Sequence, residues 1–219
     1  MSGIKSNNYE KEILELYKKI KPEIIKRISE FRNIWKNADN NELFTELVFC
    51  LFTPQSGARQ CWKAVNILKD KNLLFNGKRE DISREINIVR FRNNKAGYLV
   101  EAREKFICGD SGLRDCLESA ADQIEKRSWL VRNIKGIGYK EASHFMRNIG
   151  IGDRLAILDR HILKNMKLLG IIDNIPKSIP EKVYLDLEKK LSDYSHSIKI
   201  PLEHLDFVLW YKEAGEVFK

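Results

Sequence analysis

Residues 121–169 constrain the fold more than any other part of the chain. A run of helical period through Leu130, Val131 and Ile134 meets Gly136-Ile137-Gly138, and a second run starts at once with Tyr139-Lys140-Glu141-Ala142. Two glycines one residue apart permit a tight turn, so two helices joined by a short hairpin are expected at about 121–149. The second helix opens with free N–H groups and a positive dipole end. Such a turn can hold a phosphate oxygen without reading any base. Ile137, between the glycines, can point inward and lock the two helices together. The plain alternative is an ordinary helical hairpin with glycine in its turn.

The rest of the chain also reads as helix. Ile13, Leu16, Tyr17 and Ile20 recur at helical spacing on one face. Pro22 is expected to interrupt or restart that helix, which runs on through Ile24, Ile25, Ile28 and Phe31. Asp39, Asn40 or Asn41 suits the cap of a helix holding Leu43, Phe44, Leu47, Val48 and Leu51. That run is apolar on more than one side, so it should be buried, and it should stop near Pro54. Helical period returns at 55–68, 93–106, about 120–133, 139–149, 159–169, 180–194 and 201–214. Pro180 and Pro201 suit a first helical turn, and Gly150 and Gly170 suit helix ends. No sustained alternation marks a strand; Phe75-Asn76-Gly77 is the nearest hairpin candidate, and its flanks do not alternate. The expected fold class is all-α.

Composition narrows the partner. Lys plus Arg number 39 against 31 Asp plus Glu, a formal charge of +8. That excess favours an anionic partner such as nucleic acid, although a solvated lysine-rich surface carries the same charge. No run approaches the ~18 apolar residues of a membrane span, and the first residues lack the apolar stretch of a signal peptide, so a cytoplasmic protein is expected. Cys50, Cys61, Cys108 and Cys116 match neither a zinc nor an iron–sulfur spacing. Cys50 and Cys61 read as core residues. His144, His161, His196 and His204 form no metal-binding pair motif, so no side-chain metal site is expected.

Downstream of the hairpin, an apolar run leads into Leu158-Asp159-Arg160-His161. Asp159 precedes a helix, and taken alone it is a plain N-cap. The hairpin G-I-G-Y-K followed by L-D-R-H resembles the helix–hairpin–helix (HhH-GPD) DNA glycosylase superfamily. In that superfamily Lys140 stands at the nucleophilic lysine of the bifunctional members and Asp159 at the catalytic aspartate. Leu51-Phe52-Thr53-Pro54-Gln55-Ser56-Gly57-Ala58 resembles the family's Gln-containing loop, whose side chain fills the gap left by an extruded base. The likeness spans about residues 43–169. The ending, Leu209-Trp210 through Phe218-Lys219, is similar to the compact archaeal-type 8-oxoguanine DNA glycosylases. There an aromatic residue stacks on the base and the terminal lysine lies beside the base pocket; Trp210 and Lys219 correspond.

The resemblance implies two lobes. Residues 40–155 would form a central lobe containing the hairpin. Residues 1–39 and 156–219 would form a second lobe, supplying Asp159 and the base-recognition segment. It implies a monomer acting in base-excision repair on duplex DNA containing oxidised guanine. No organic cofactor and no iron–sulfur cluster are implied, while the hairpin carbonyls near Ile134 and Ile137 can hold a monovalent ion. Lys140 and Asp159 would be catalytic. Gln55, Ser56, Gly136, Gly138, Arg160 and His161 would meet DNA, with His161 contacting a phosphate or orienting Asp159, or serving as a partly buried structural residue. Two alternatives stay open: an endonuclease III-like enzyme for another oxidised base, and a non-catalytic module that only grips phosphate.

Overall fold

The computed structural model describes residues 2–219, with side chains from Asn8 onward. Helix is the regular structure of its described residues, with no strand among them. The first helix, α1 (Ser2–Asn37), runs straight through Pro22, against the expected interruption. Pro22 and Lys18, whose carbonyl loses its usual donor, both face solvent. Water can serve that carbonyl, and the buried stripe Ile13, Ile20, Ile24, Ile28 and Phe31 outweighs a proline cost of about 3 kcal/mol.

Helix α2 (Asn40–Phe52) starts at a capping box in which Asp39 Oδ1 accepts from the Glu42 N–H at 2.8 Å and Glu42 answers the Asp39 N–H at 3.0 Å. Every residue from Leu43 to Phe52 is buried, as its two-sided apolar pattern implies. The chain does not return to helix at Gln55. That residue sits in the left-handed region at φ +54°, and α3 (Ala58–Asp70) begins three residues later. Three short helices escape periodicity because each is too brief to show it: α4 (Leu73–Asn76), α5 (Arg79–Glu85) and α7 (Leu113–Glu118). Between the last two lies α6 (Arg92–Phe106).

The hairpin pair is α8 (Gln123–Asn133) and α9 (Tyr139–Asn148). The first of these begins later than expected because Asp122 caps it, accepting from the N–H groups of Ile124 and Glu125 at 2.9 Å. The chain finishes with α10 (Arg160–Leu168), α11 (Glu181–Ser197) and α12 (Leu202–Ala214). Gly150 and Gly170 follow α9 and α10 with φ of +81° and +72°, the left-handed exits that glycine permits.

The buried side chains form two clusters. One draws on α2 through α9 and ends at Leu155; the other joins α1 to Ala156 and the helices after it. Between them lies a buried pair. Arg127 on α8 donates to both oxygens of Glu188 on α11, at 2.6 and 2.8 Å, and its side chain is wholly buried. Glu188 also accepts from the Ala156 N–H at 2.7 Å, at the point where the chain passes from one cluster to the other. A second buried pair, Arg147 on α9 with Asp206 on α12, ties the clusters behind the cavity described next. No helix among the described residues is long and apolar enough to cross a membrane.

Candidate active site

The hairpin is shaped by two buried isoleucines and one indispensable glycine. Ile134 and Ile137 both sink into the first cluster, and the Ile137 N–H donates to the Ile134 carbonyl at 3.2 Å. Gly136 has φ +87°, and a Cβ there would lie 2.4 Å from the Tyr98 ring. Both the backbone and the ring therefore demand glycine. Gly138 caps α9, its N–H donating to Glu141 Oε2 at 3.3 Å.

Lys140 stands in the first turn of α9, where the dipole disfavours a cation. Its Nζ donates to Thr53 Oγ1 at 3.1 Å, and Glu141 Oε1 lies 3.6 Å away. His144 follows one turn later, buried with its ring edge-on to Phe49 at 5.4 Å. Burial, aided by Arg147 and Lys140, holds its imidazole well below the usual range, so it is neutral at pH 7.

Asp159 is the N-cap of α10: Oδ1 accepts from the N–H groups of His161 and Ile162, both at 2.8 Å. Thus the backbone of His161, rather than its ring, orients the carboxylate. The ring instead packs edge-on against Trp210 at 5.3 Å and lies 3.3 Å from Glu213. Arg160 Nε is 3.2 Å from the other ring nitrogen.

These residues share one cavity of about 670 Å³. Lys140, Asp159, Trp210 and Lys219 all line it, and Gln55, Ser56, Arg160 and His161 stand around it. Gly136 and Gly138 do not line it; they shape the turn that delivers Lys140. Asp206, also on the cavity, has its carboxyl pushed up to about 6 by burial, against the opposing pull of Arg147. Cys50 and Cys61 are free and buried, as their apolar surroundings imply.

Lys95, which carries no motif, holds the loop before α3. Its ammonium is buried and donates to the carbonyls of Phe52 and Pro54 at 2.6 and 2.9 Å and to Ser56 Oγ at 3.0 Å. Burial lowers its pKa to about 8. The one clue in the sequence is register: Lys95, Leu99 and Arg103 lie one turn apart on the buried face of α6. The Ser56 oxygen accepts from Lys95 Nζ and from the Arg90 N–H, both at 3.0 Å, which leaves its O–H free to donate.

An all-helical fold whose Gly-Ile-Gly hairpin presents a lysine to the same cavity as a helix-capping aspartate defines the helix–hairpin–helix DNA glycosylases. Within that class the chain belongs to the 8-oxoguanine DNA glycosylase family, whose model matches residues 24–200. An 8-oxoguanine DNA glycosylase/AP lyase of Fusobacterium nucleatum is 48% identical over 217 residues, covering 99% of this chain and 100% of that protein. One of the same name from Methanocaldococcus jannaschii is 40% identical, over 91% of this chain and 93% of its own. The crystal structure of the M. jannaschii 8-oxoguanine glycosylase/lyase, in complex with a 15mer DNA containing 8-oxoguanine, superposes with a TM-score of 0.86. It is 38% identical and covers 95% of this chain and 98% of its own. The 8-oxoguanine DNA glycosylase of Thermotoga maritima gives a TM-score of 0.87 at 32% identity, covering 98% and 100%.

Proposed function

We propose that this chain removes 8-oxoguanine from duplex DNA and then cleaves the strand at the abasic site, acting as a monomer. The observation that carries the reading is the single cavity shared by Lys140, Asp159, Trp210 and Lys219. The sugar C1′ inside a duplex is out of reach, so the damaged nucleotide must be extruded. Gln55 supports that step. Its left-handed backbone is a strained conformation of the kind that persists at functional sites, and Lys95 bonds the residues on either side of it. The Gln55 side chain fills the vacated stack.

The Lys140 amine attacks C1′, the C1′–N bond breaks, and the departing base takes up a proton. Asp159 faces the positive charge that develops on the sugar and relays the lysine proton. The Lys140 nitrogen then expels O4′, which takes up a proton as the sugar ring opens, leaving a protonated Schiff base. That imine acidifies C2′; loss of its proton breaks the C3′–O bond and releases the 3′ phosphate. Trp210 stacks on the extruded purine. A backbone oxygen of Lys219 accepts from its N–H groups, N7–H included, which guanine lacks. In the same reading the hairpin carbonyls near Ile134 and Ile137 would hold a monovalent ion.

Borohydride trapping on duplexes carrying 8-oxoguanine, thymine glycol or an abasic site tests the reading. The 8-oxoguanine duplex should give a covalent complex that Lys140→Gln loses. No trapped complex on any of the three would overturn the mechanism, and preference for thymine glycol would overturn the substrate.

A further inference from the structure

Glu46 is a carboxylate in the middle of a helix whose neighbours are apolar. It lies on α2, and its residue is only 5% exposed. An ionised carboxylate at such a depth is costly unless a partner meets it. Its partner is the ammonium of Lys219, the last residue of the chain. That ammonium also sits over the Trp62 ring, 3.7 Å from its centroid, with the Phe49 ring at 5.8 Å. The lysine side chain is 12% exposed. Lys219 is thus held by a buried ion pair and an aromatic slot.

The holding group is itself held. Glu46 Oε2 lies 3.5 Å from Asn148 Nδ2, and Asn148 Oδ1 accepts from Arg147 at 3.2 Å. Arg147 in turn pairs with Asp206, and both line the cavity. Residues of α2, α3, α9 and α12 thereby converge on the position of one terminal residue.

We propose that Glu46, with Trp62, is the seat that positions Lys219 for base recognition: the lysine side chain is an anchor, and it fixes the Lys219 backbone oxygen at the cavity. The proposal rests on the reading of Lys219 given above. Glu46 touches no base; it acts through Lys219 and is a positioning residue. The seat matters only while a base is being selected. Strand cleavage at a ready-made abasic site needs Lys140 but has no base to recognise, so that reaction should not depend on Glu46.

The test measures two reactions in each variant: excision from an 8-oxoguanine duplex and cleavage of an abasic duplex. For Glu46→Gln, kcat/KM for excision should fall about 10- to 100-fold, the scale of an ångström misplacement. Abasic cleavage should stay within about twofold of the parent, so that the loss reads as positioning rather than catalysis. Deleting Lys219 should reduce excision at least as much. If Glu46→Gln excises normally while the deletion does not, the seat is wrong and the Lys219 reading survives. If the deletion excises normally, the Lys219 reading is wrong. Equal loss of both reactions in Glu46→Gln would mean a structural role and overturn the seat. Should that variant fail to fold, Trp62→Leu, at a half-buried position, weakens the same seat and is judged by the same ratio of the two reactions.

Discussion

The two halves of the cavity are built in opposite ways. Lys140 and Asp159 are placed by their nearest neighbours in the chain: a turn of two glycines for one, two N–H groups of the following helix for the other. Trp210 and Lys219 meet residues far away in sequence: His161 for the first, Glu46 and Trp62 for the second. Local construction makes the first half rigid and recognisable. The second depends on the whole fold being assembled, which suits a part that selects a base.

The sharpest break of this contrast removes chemistry without removing structure. Lys140→Gln should abolish strand cleavage and borohydride trapping, a loss of about a thousandfold or more. Asp159→Asn separates cap from charge. Asparagine caps a helix as well as aspartate, so the melting temperature should hold. Excision should drop about a hundredfold, since the loss of one electrostatic stabiliser costs on that order. A fall in melting temperature equal to that of Asp159→Ala would show that the cap needs the charge.

The connection between the clusters can be broken next. Glu188→Gln leaves Arg127 buried and uncompensated, and should cost about 3–5 kcal/mol in denaturant unfolding. A loss below about 1 kcal/mol would show that water reaches the pair. Asp122→Ala is a smaller test of local construction. Losing the cap of α8 should cost about 1 kcal/mol and leave the Glu46–Lys219 half of the cavity unaffected.

The smallest effect concerns Lys95. Its pKa of about 8 in the fold lies below the ordinary 10.5, so the unfolded chain binds more protons between those values. Its contribution to stability therefore rises as pH climbs through that window and is flat below it. Urea midpoints of the parent chain and of Lys95→Met at pH 7.5 and 10 should show the rise in the first and lose it in the second. An equal slope in both would place the lysine in solvent.

Most of the helices were legible because an amphipathic helix advertises its buried stripe every three or four residues. The exceptions are instructive. Pro22 reads as a break and is not one, since the lost hydrogen bond falls on the solvent side. The short helices α4, α5 and α7 hold too few turns for a stripe. Gln55 reads as helix, and a left-handed backbone is not visible in a residue that rarely adopts one. His161 was placed near Asp159 in sequence, yet its ring turned toward Trp210 on a helix fifty residues on.

What the sequence determined by itself is whatever depends on residues a turn or two apart. That includes the Gly136 turn, the caps at Asp39 and Asp159, and the places of Lys140 and Asp159 at helix starts. What only the tertiary structure decided is which distant groups meet: Lys95 under the Gln55 loop, Arg127 on Glu188, and Lys219 on Glu46. Each of these is a charge taken out of water, and a buried charge is tolerable only beside its partner. Partners fixed by the packing of separate helices leave no spacing in the sequence to find.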